Sequence, residues 1–163
     1  MAFNGRVEVR SSFAYTDAAT ATRNTTGTST IDRTSDYEVG TGANQATIAY
    51  SEQRTSASPV TYDFNNSSLE DNVGRAVAFT GIAMIIISNL STAAAPATMT
   101  VGDGASNPLI PFGVAGDVVQ VGPGGVLVLE WPVTKLVVSG TKKTLLVTPS
   151  ASCQWEIQVV GAA

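Results

Sequence analysis

The sequence predicts an all-β protein: an antiparallel β-sandwich, jelly-roll-like, with an extended N-terminal arm. Three observations predict it. From Pro59 onward, apolar strand signals recur about every 8–12 residues between glycine-rich turns, the pattern of a sandwich or barrel. No segment carries a sustained helical stripe; Leu69, Val73 and Val77 have i,i+4 spacing, but Gly74 interrupts them. Composition also breaks at Pro59. All seven prolines, all three lysines, both tryptophans and all eight leucines lie at or beyond it, whereas residues 11–58 hold 18 Ser and Thr. The second part can bury a core. The first has too little apolar surface to do so alone and must lie on something else.

Residues 1–58 therefore read as an extended polar arm with one or two short strands, and residues 59–163 as the sandwich body. Within the arm, Val7-Glu8-Val9-Arg10 alternates with period two and predicts a short strand. Residues 16–36 carry little apolar content beyond Ile31. Residues 37–58 are expected to pack on the body, with Ile48 and Tyr50 anchoring one face of an extended segment.

The body's strands are expected at Val60–Phe64, at Val77 and Phe79, and at Ile82–Ile87 in the centre of the core. Met99 and Val101 follow, then Leu109–Phe112, Val118–Val121, Val126–Leu129, Leu136–Val138, Leu145–Val147 and Trp155–Val159. Turns are expected at Asn72-Val73-Gly74, Gly102-Asp103-Gly104, Gly122-Pro123-Gly124-Gly125 and Ser139-Gly140-Thr141-Lys142, where glycine supplies backbone freedom.

Charge and chemistry narrow the function classes. The 163 residues fit one domain, 44% hydrophobic and only 13% charged, with net charge −4. The six arginines are scattered from Arg6 to Arg75, and Lys142-Lys143 is the one adjacent basic pair, so no nucleic-acid stripe is expected. The longest apolar run, Ile82–Ile87, is far below the ~20 residues of a membrane helix. The N-terminal residues lack a charged-then-apolar signal pattern, so synthesis in a cytoplasm without standard secretion is expected.

There is no histidine, which removes the commonest general base and zinc ligand, and the one cysteine, Cys153, reads as a buried strand thiol. No cofactor, metal or catalytic residue is assigned. Asp63, Glu70 and Asp71 are the acids most apt to meet, and they read as solvated loop carboxylates. Gly102-Asp103-Gly104 lacks the oxygen ligands of a calcium loop. Gly122-Pro123-Gly124-Gly125 leads into a strand, not the helix a phosphate loop requires. Asn-x-Ser/Thr triplets at Asn24, Asn65, Asn66 and Asn89 arise easily in so Ser/Thr-rich a chain. Trp131 and Trp155 offer a sugar-stacking alternative, but packing in the core or rim is the simpler reading.

Several segments in order carry a resemblance: Thr41-Gly42-Ala43-Asn44-Gln45-Ala46, Tyr50, Gln53-Arg54-Thr55, Asp71-Asn72-Val73-Gly74, Ser88-Asn89-Leu90-Ser91-Thr92, Thr100-Val101-Gly102, Asn107-Pro108 and Gly122–Leu127. Over about residues 40–160, the series resembles small β-sandwich accessory proteins of tailed-bacteriophage virions. The resemblance implies a non-enzymatic structural role, without cofactor or catalytic residues. Residues 11–36 depart from it.

The expectation is thus a virion structural protein, foremost a capsid decoration or cement protein. Its partners would be the major capsid protein or another virion protein, and its own copies, a homotrimer being favoured. A tail or fibre component and a carbohydrate-binding, receptor-binding sandwich are the alternatives. Apolar residues in a polar arm need a partner surface, so Phe3, Val7, Val9, Phe13, Tyr15, Tyr37, Ile48 and Tyr50 are the expected interaction residues.

Overall fold

The computed structural model describes residues 5–17, 25–71, 74–92, 94–104 and 106–163. Among them there are strands and no helix. The N-terminal strands are β1 (Gly5–Asp17), β2 (Thr25–Val39), β3 (Gln45–Ala46), β4 (Ile48–Ser56), β5 (Val60–Asp63), β6 (Leu69–Glu70) and β7 (Ala76–Val77). Then come β8 (Gly81–Asn89), β9 (Met99–Asp103), β10 (Val118–Val121), β11 (Val126–Glu130), β12 (Leu136–Val137), β13 (Thr144–Pro149) and β14 (Cys153–Ala162).

Eight strands build the body as two sheets, ordered β11-β8-β14-β4 and β10-β9-β13-β5. Taken in chain order, the eight pair as nested antiparallel couples: β4 with β14, β5 with β13, β8 with β11 and β9 with β10. That nesting, the first strand with the last and so inward, is the connectivity of a jelly roll. β12 continues the first sheet along β8, and β6–β7 form a small separate hairpin.

Alternation along the strands fills the space between the sheets. Ile85 and Ile87 of β8, and Trp155, Ile157 and Val159 of β14, face Met99, Val101, Leu145 and Val147 in one cluster. Tyr50, Tyr62, Phe64 and Phe79 run through it as edge-to-face and stacked neighbours, with centroids 5.9–6.4 Å apart. A bulge interrupts the β8–β14 ladder: Val160 faces Met84 and Gly161 faces Ile82, leaving Ala83 unopposed. The bulge turns Ile82 into the core while Ala83 and Met84 lie together on the sheet's outer face. A Cβ on Gly161 would press on the Gly81 carbonyl and come 2.9 Å from the Phe79 ring, so glycine is required there.

Three expectations need correction. Residues 48–56 are a full strand of the body, β4, rather than arm packed upon it; it is an edge strand whose outer half is polar, which hid its period. Leu109–Phe112 is a loop: Leu109 is buried, and the bridge from Pro108 to Thr144 beside it is isolated, outside any strand. Gly102 and Asp103 lie inside β9 instead of a turn. Gly102 is demanded by close approach, since a Cβ would stand 2.5 Å from the Asp117 carbonyl oxygen. By contrast, Gly122–Gly125 is a turn with Pro123 second, Gly124 at φ 70° and a Gly125 N–H to Gly122 C=O bond of 2.9 Å.

Candidate interaction surface

The N-terminal segment is an antiparallel ribbon of β1 and β2, and the end of β2 pairs in parallel with the short β3, Glu38 with Gln45 and Val39 with Ala46. β1 and β2 pair in continuous register from Gly5 opposite Tyr37 to Asp17 opposite Thr25. At about 3.3 Å per residue, thirteen residues span about 40 Å. Near its base Arg6 sits opposite Asp36 and donates from Nε and Nη2 to the two carboxylate oxygens at 2.7 and 3.2 Å. That guanidinium holds the Asp36 carboxyl below its ordinary range. The pair is exposed, so it aligns the strands more than it stabilises them.

A clasp joins ribbon to body. After β2 the chain turns through Gly40, at φ 146°, and Asn44, at φ 52°. Glu38 N–H donates to Asn44 C=O at 3.0 Å and Gly40 N–H to Ala46 C=O at 3.1 Å, while Gly42 N–H donates to Gln45 Oε1 at 2.9 Å. The Gln45 amide fills the space where a Cβ on Gly40 would stand. From the body, Lys135 Nζ donates to Thr41 and Gly42 carbonyls at 2.8 and 2.6 Å, and Pro132 C=O accepts from Asn44 N–H at 2.7 Å. Sequence reasoning missed Lys135 and Gln45. The glycines at 40 and 42 were the available signal, but the partner lysine is distant in sequence.

The expected interaction residues separate into two groups. Val7, Val9, Phe13 and Tyr15 lie in β1 opposite Ser35, Arg33, Ser29 and Gly27. Phe3 lies outside the described residues. Tyr37, Ile48 and Tyr50 instead face the chain itself. Tyr37, with Ala46, is buried over Ala83 and Met84; Ile48 packs on the core; Tyr50 is buried and donates its hydroxyl to Glu52 at 2.8 Å. Burial first, then the neighbouring Glu52, pushes the Tyr50 phenol above its usual pKa, and burial does the same to Tyr62.

The other singled-out residues have structural partners. Trp155 is fully buried and cannot stack on a sugar; Trp131 is partly buried against the core. Asp63 pairs with Lys143 at 2.8 Å, Asp71 accepts from Arg75 Nε at 2.7 Å, and Glu70 is exposed in β6. Among the described residues, no group of three or more His, Cys, Asp or Glu stands close enough to hold a metal ion. Asn89 is buried: its amide donates to the Ala97 and Val121 carbonyls at 2.8 and 3.1 Å, stitching loops together. Cys153 is buried 3.2 Å from the Ser91 hydroxyl.

No family model, curated protein or solved structure matches the chain.

Proposed function

We propose that the chain is a non-enzymatic structural protein of a bacteriophage particle, foremost a capsid decoration or cement protein. One observation carries the reading: a jelly-roll body bears a ribbon of about 40 Å that pairs chiefly with itself, clasped at its base. A ribbon of that length is suited to reaching a neighbouring subunit. Jelly rolls recur in capsid and lectin domains, and fold alone does not select between them. The sequence resemblance to virion accessory proteins favours the first. The burial of Trp155 removes half of the sugar-stacking surface on which the second would rest.

In this reading the body is a rigid spacer and the ribbon grips the shell or a sister subunit. Immunogold electron microscopy of particles with antibody to this chain tests it. Uniform label on heads is the expected result; label confined to tails reassigns the protein to a tail or fibre, and particles without label overturn the proposal.

A further inference from the structure

The two flanks of the sandwich are guarded unequally. On one, the edge strands β4 and β5 carry Glu52, Arg54 and Asp63, and β7 lies beside β4. Charge on an edge strand is a common guard against pairing with another chain. The other flank ends in β10 and β11, joined by the Gly122–Gly125 turn. Asp117 precedes β10 and Glu130 ends β11, but between them there is no charged residue, and the one proline sits in the turn. Val118 and Val126 are each 59% exposed, so this apolar edge meets solvent.

Hydrogen bonding identifies what β11 offers. Just before it, Asn89 N–H donates to Gly125 C=O at 2.9 Å; just after it, Trp131 N–H donates to Ala83 C=O at 2.7 Å. Bonded and non-bonded pairs alternate along an antiparallel ladder. Leu127 and Leu129, in phase with Gly125 and Trp131, therefore bond to β8, and the backbone groups of Val126 and Val128 turn to the open side.

The ribbon has the matching need. Among the described residues β1 pairs along one side only, with β2. A lone two-stranded ribbon is marginal in water and gains stability from a third strand. The charged flank is a poor acceptor; the β11 edge is an open one on the same polypeptide.

We propose that β1 of one copy adds to the β11 edge of a second copy, so that β1 is paired along both sides and the sheet β11-β8-β14-β4 gains a strand. Donor and acceptor are different surfaces, so the contact is heterologous, and a closed ring is the form that avoids open filaments. The inference rests on reading the ribbon as an assembly element, but not on which particle it serves.

Cross-linking of the full chain tests it. Cys153 is buried, so introduced cysteines report alone. A Val128→Cys chain is mixed with chains bearing Val7→Cys, Val9→Cys or Ser11→Cys, oxidised, and analysed by non-reducing gel and mass spectrometry. The expected product is a mixed disulfide with at least one ribbon position. A disulfide between two Val128→Cys chains, signalling that β11 pairs with itself, overturns the proposal, as does absence of any mixed product. In parallel, Val128→Pro removes an outward N–H without touching the β8 ladder. Sedimentation is expected to show the wild-type chain as an oligomer and the proline variant as a monomer that still unfolds cooperatively on heating. Equal assembly of both, or a monomeric wild type, sinks the idea. These readouts use purified chain, so their failure is distinct from failure of the particle labelling.

Discussion

Trp155 donates its indole N–H to the Tyr62 hydroxyl at 2.9 Å, one buried hydrogen bond linking β14 of one sheet to β5 of the other. Both side chains are within 2% of full burial, so neither polar atom has water to fall back on. Tyr62→Phe is expected to cost about 1–3 kcal/mol, because it orphans the indole N–H. Trp155→Phe should cost more, since it removes the donor to that hydroxyl and opens a void. In denaturant unfolding, the double variant should lose less than the sum of the singles. Additive losses would show that the bond contributes nothing.

Alkaline pH should weaken the fold through the same region. Tyr50 and Tyr62 have phenol pKa values raised in the folded state, chiefly by burial. The unfolded chain gives up these protons near pH 10, while the folded chain holds them. Their contribution is therefore complete below about pH 10 and is lost as pH rises above it. Ultraviolet titration should show these two tyrosines ionising only with unfolding. Tyr50→Phe should make the alkaline fall in stability shallower; an unchanged slope would exclude Tyr50 as a source.

Glycines in the body should differ sharply. Gly161→Ala presses a methyl on the Gly81 backbone at the bulge, where no side chain can swing away, and should cost towards the upper end of about 1–3 kcal/mol. Gly124→Ala has open space but a φ of 70°, and should cost about 1–2 kcal/mol for backbone alone. Gly122→Ala has open space and no such φ, and should be close to neutral. Thermal unfolding of the three variants checks the ranking.

The body was legible in the sequence because its strands alternate about a single core. Ile82–Ile87 lie in the central strand their apolar run implied, Trp155, Ile157 and Val159 are buried at alternate positions, and the Gly-Pro-Gly-Gly turn was readable from residue type. Three kinds of feature were hidden. Edge strand β4 buries only its first third, so Ser51–Ser56 look like arm. The bulge at Ala83 breaks the period inside an apolar run that offers no contrast. The ribbon has a register fixed by cross-strand partners, and a Ser/Thr-rich segment carries little hydrophobic alternation to disclose it. Among the expected interaction residues, Tyr37 and Tyr50 were read as needing a partner surface to cover them. That cover is the chain's own body, because residues 37–56 belong to it.

The clasp should control the ribbon without holding up the body. Lys135→Met keeps the aliphatic stem and removes the ammonium that bonds Thr41 and Gly42. Amide exchange at Gly42 and Asn44 should accelerate by an order of magnitude or so, as this loop moves toward the low-stability end of the molecule. Exchange in β8 and β14 should stay the same. Equal acceleration in both regions would mean that the lysine supports the fold as a whole.

Truncation should locate the real boundary between reach and body. Removing residues 1–34 takes away β1 and most of β2, yet leaves Tyr37 and Ala46 over Met84, the clasp and the whole of β4. This chain should fold with a thermal transition close to that of the full protein, while losing incorporation into particles. Removing residues 1–50 strips Tyr37 and Ala46 from the outer face of the first sheet and takes Ile48 and Tyr50 from the core. Each lost large apolar side chain removes about 1.5–3 kcal/mol of burial, against a total stability of about 5–15 kcal/mol for a domain. The longer deletion should therefore be insoluble or largely unfolded. If it folds as well as the shorter one, the buried start of β4, Ile48 to Tyr50, is dispensable and the arm extends into that strand. If the shorter one still fills particles completely, the ribbon is not the grip.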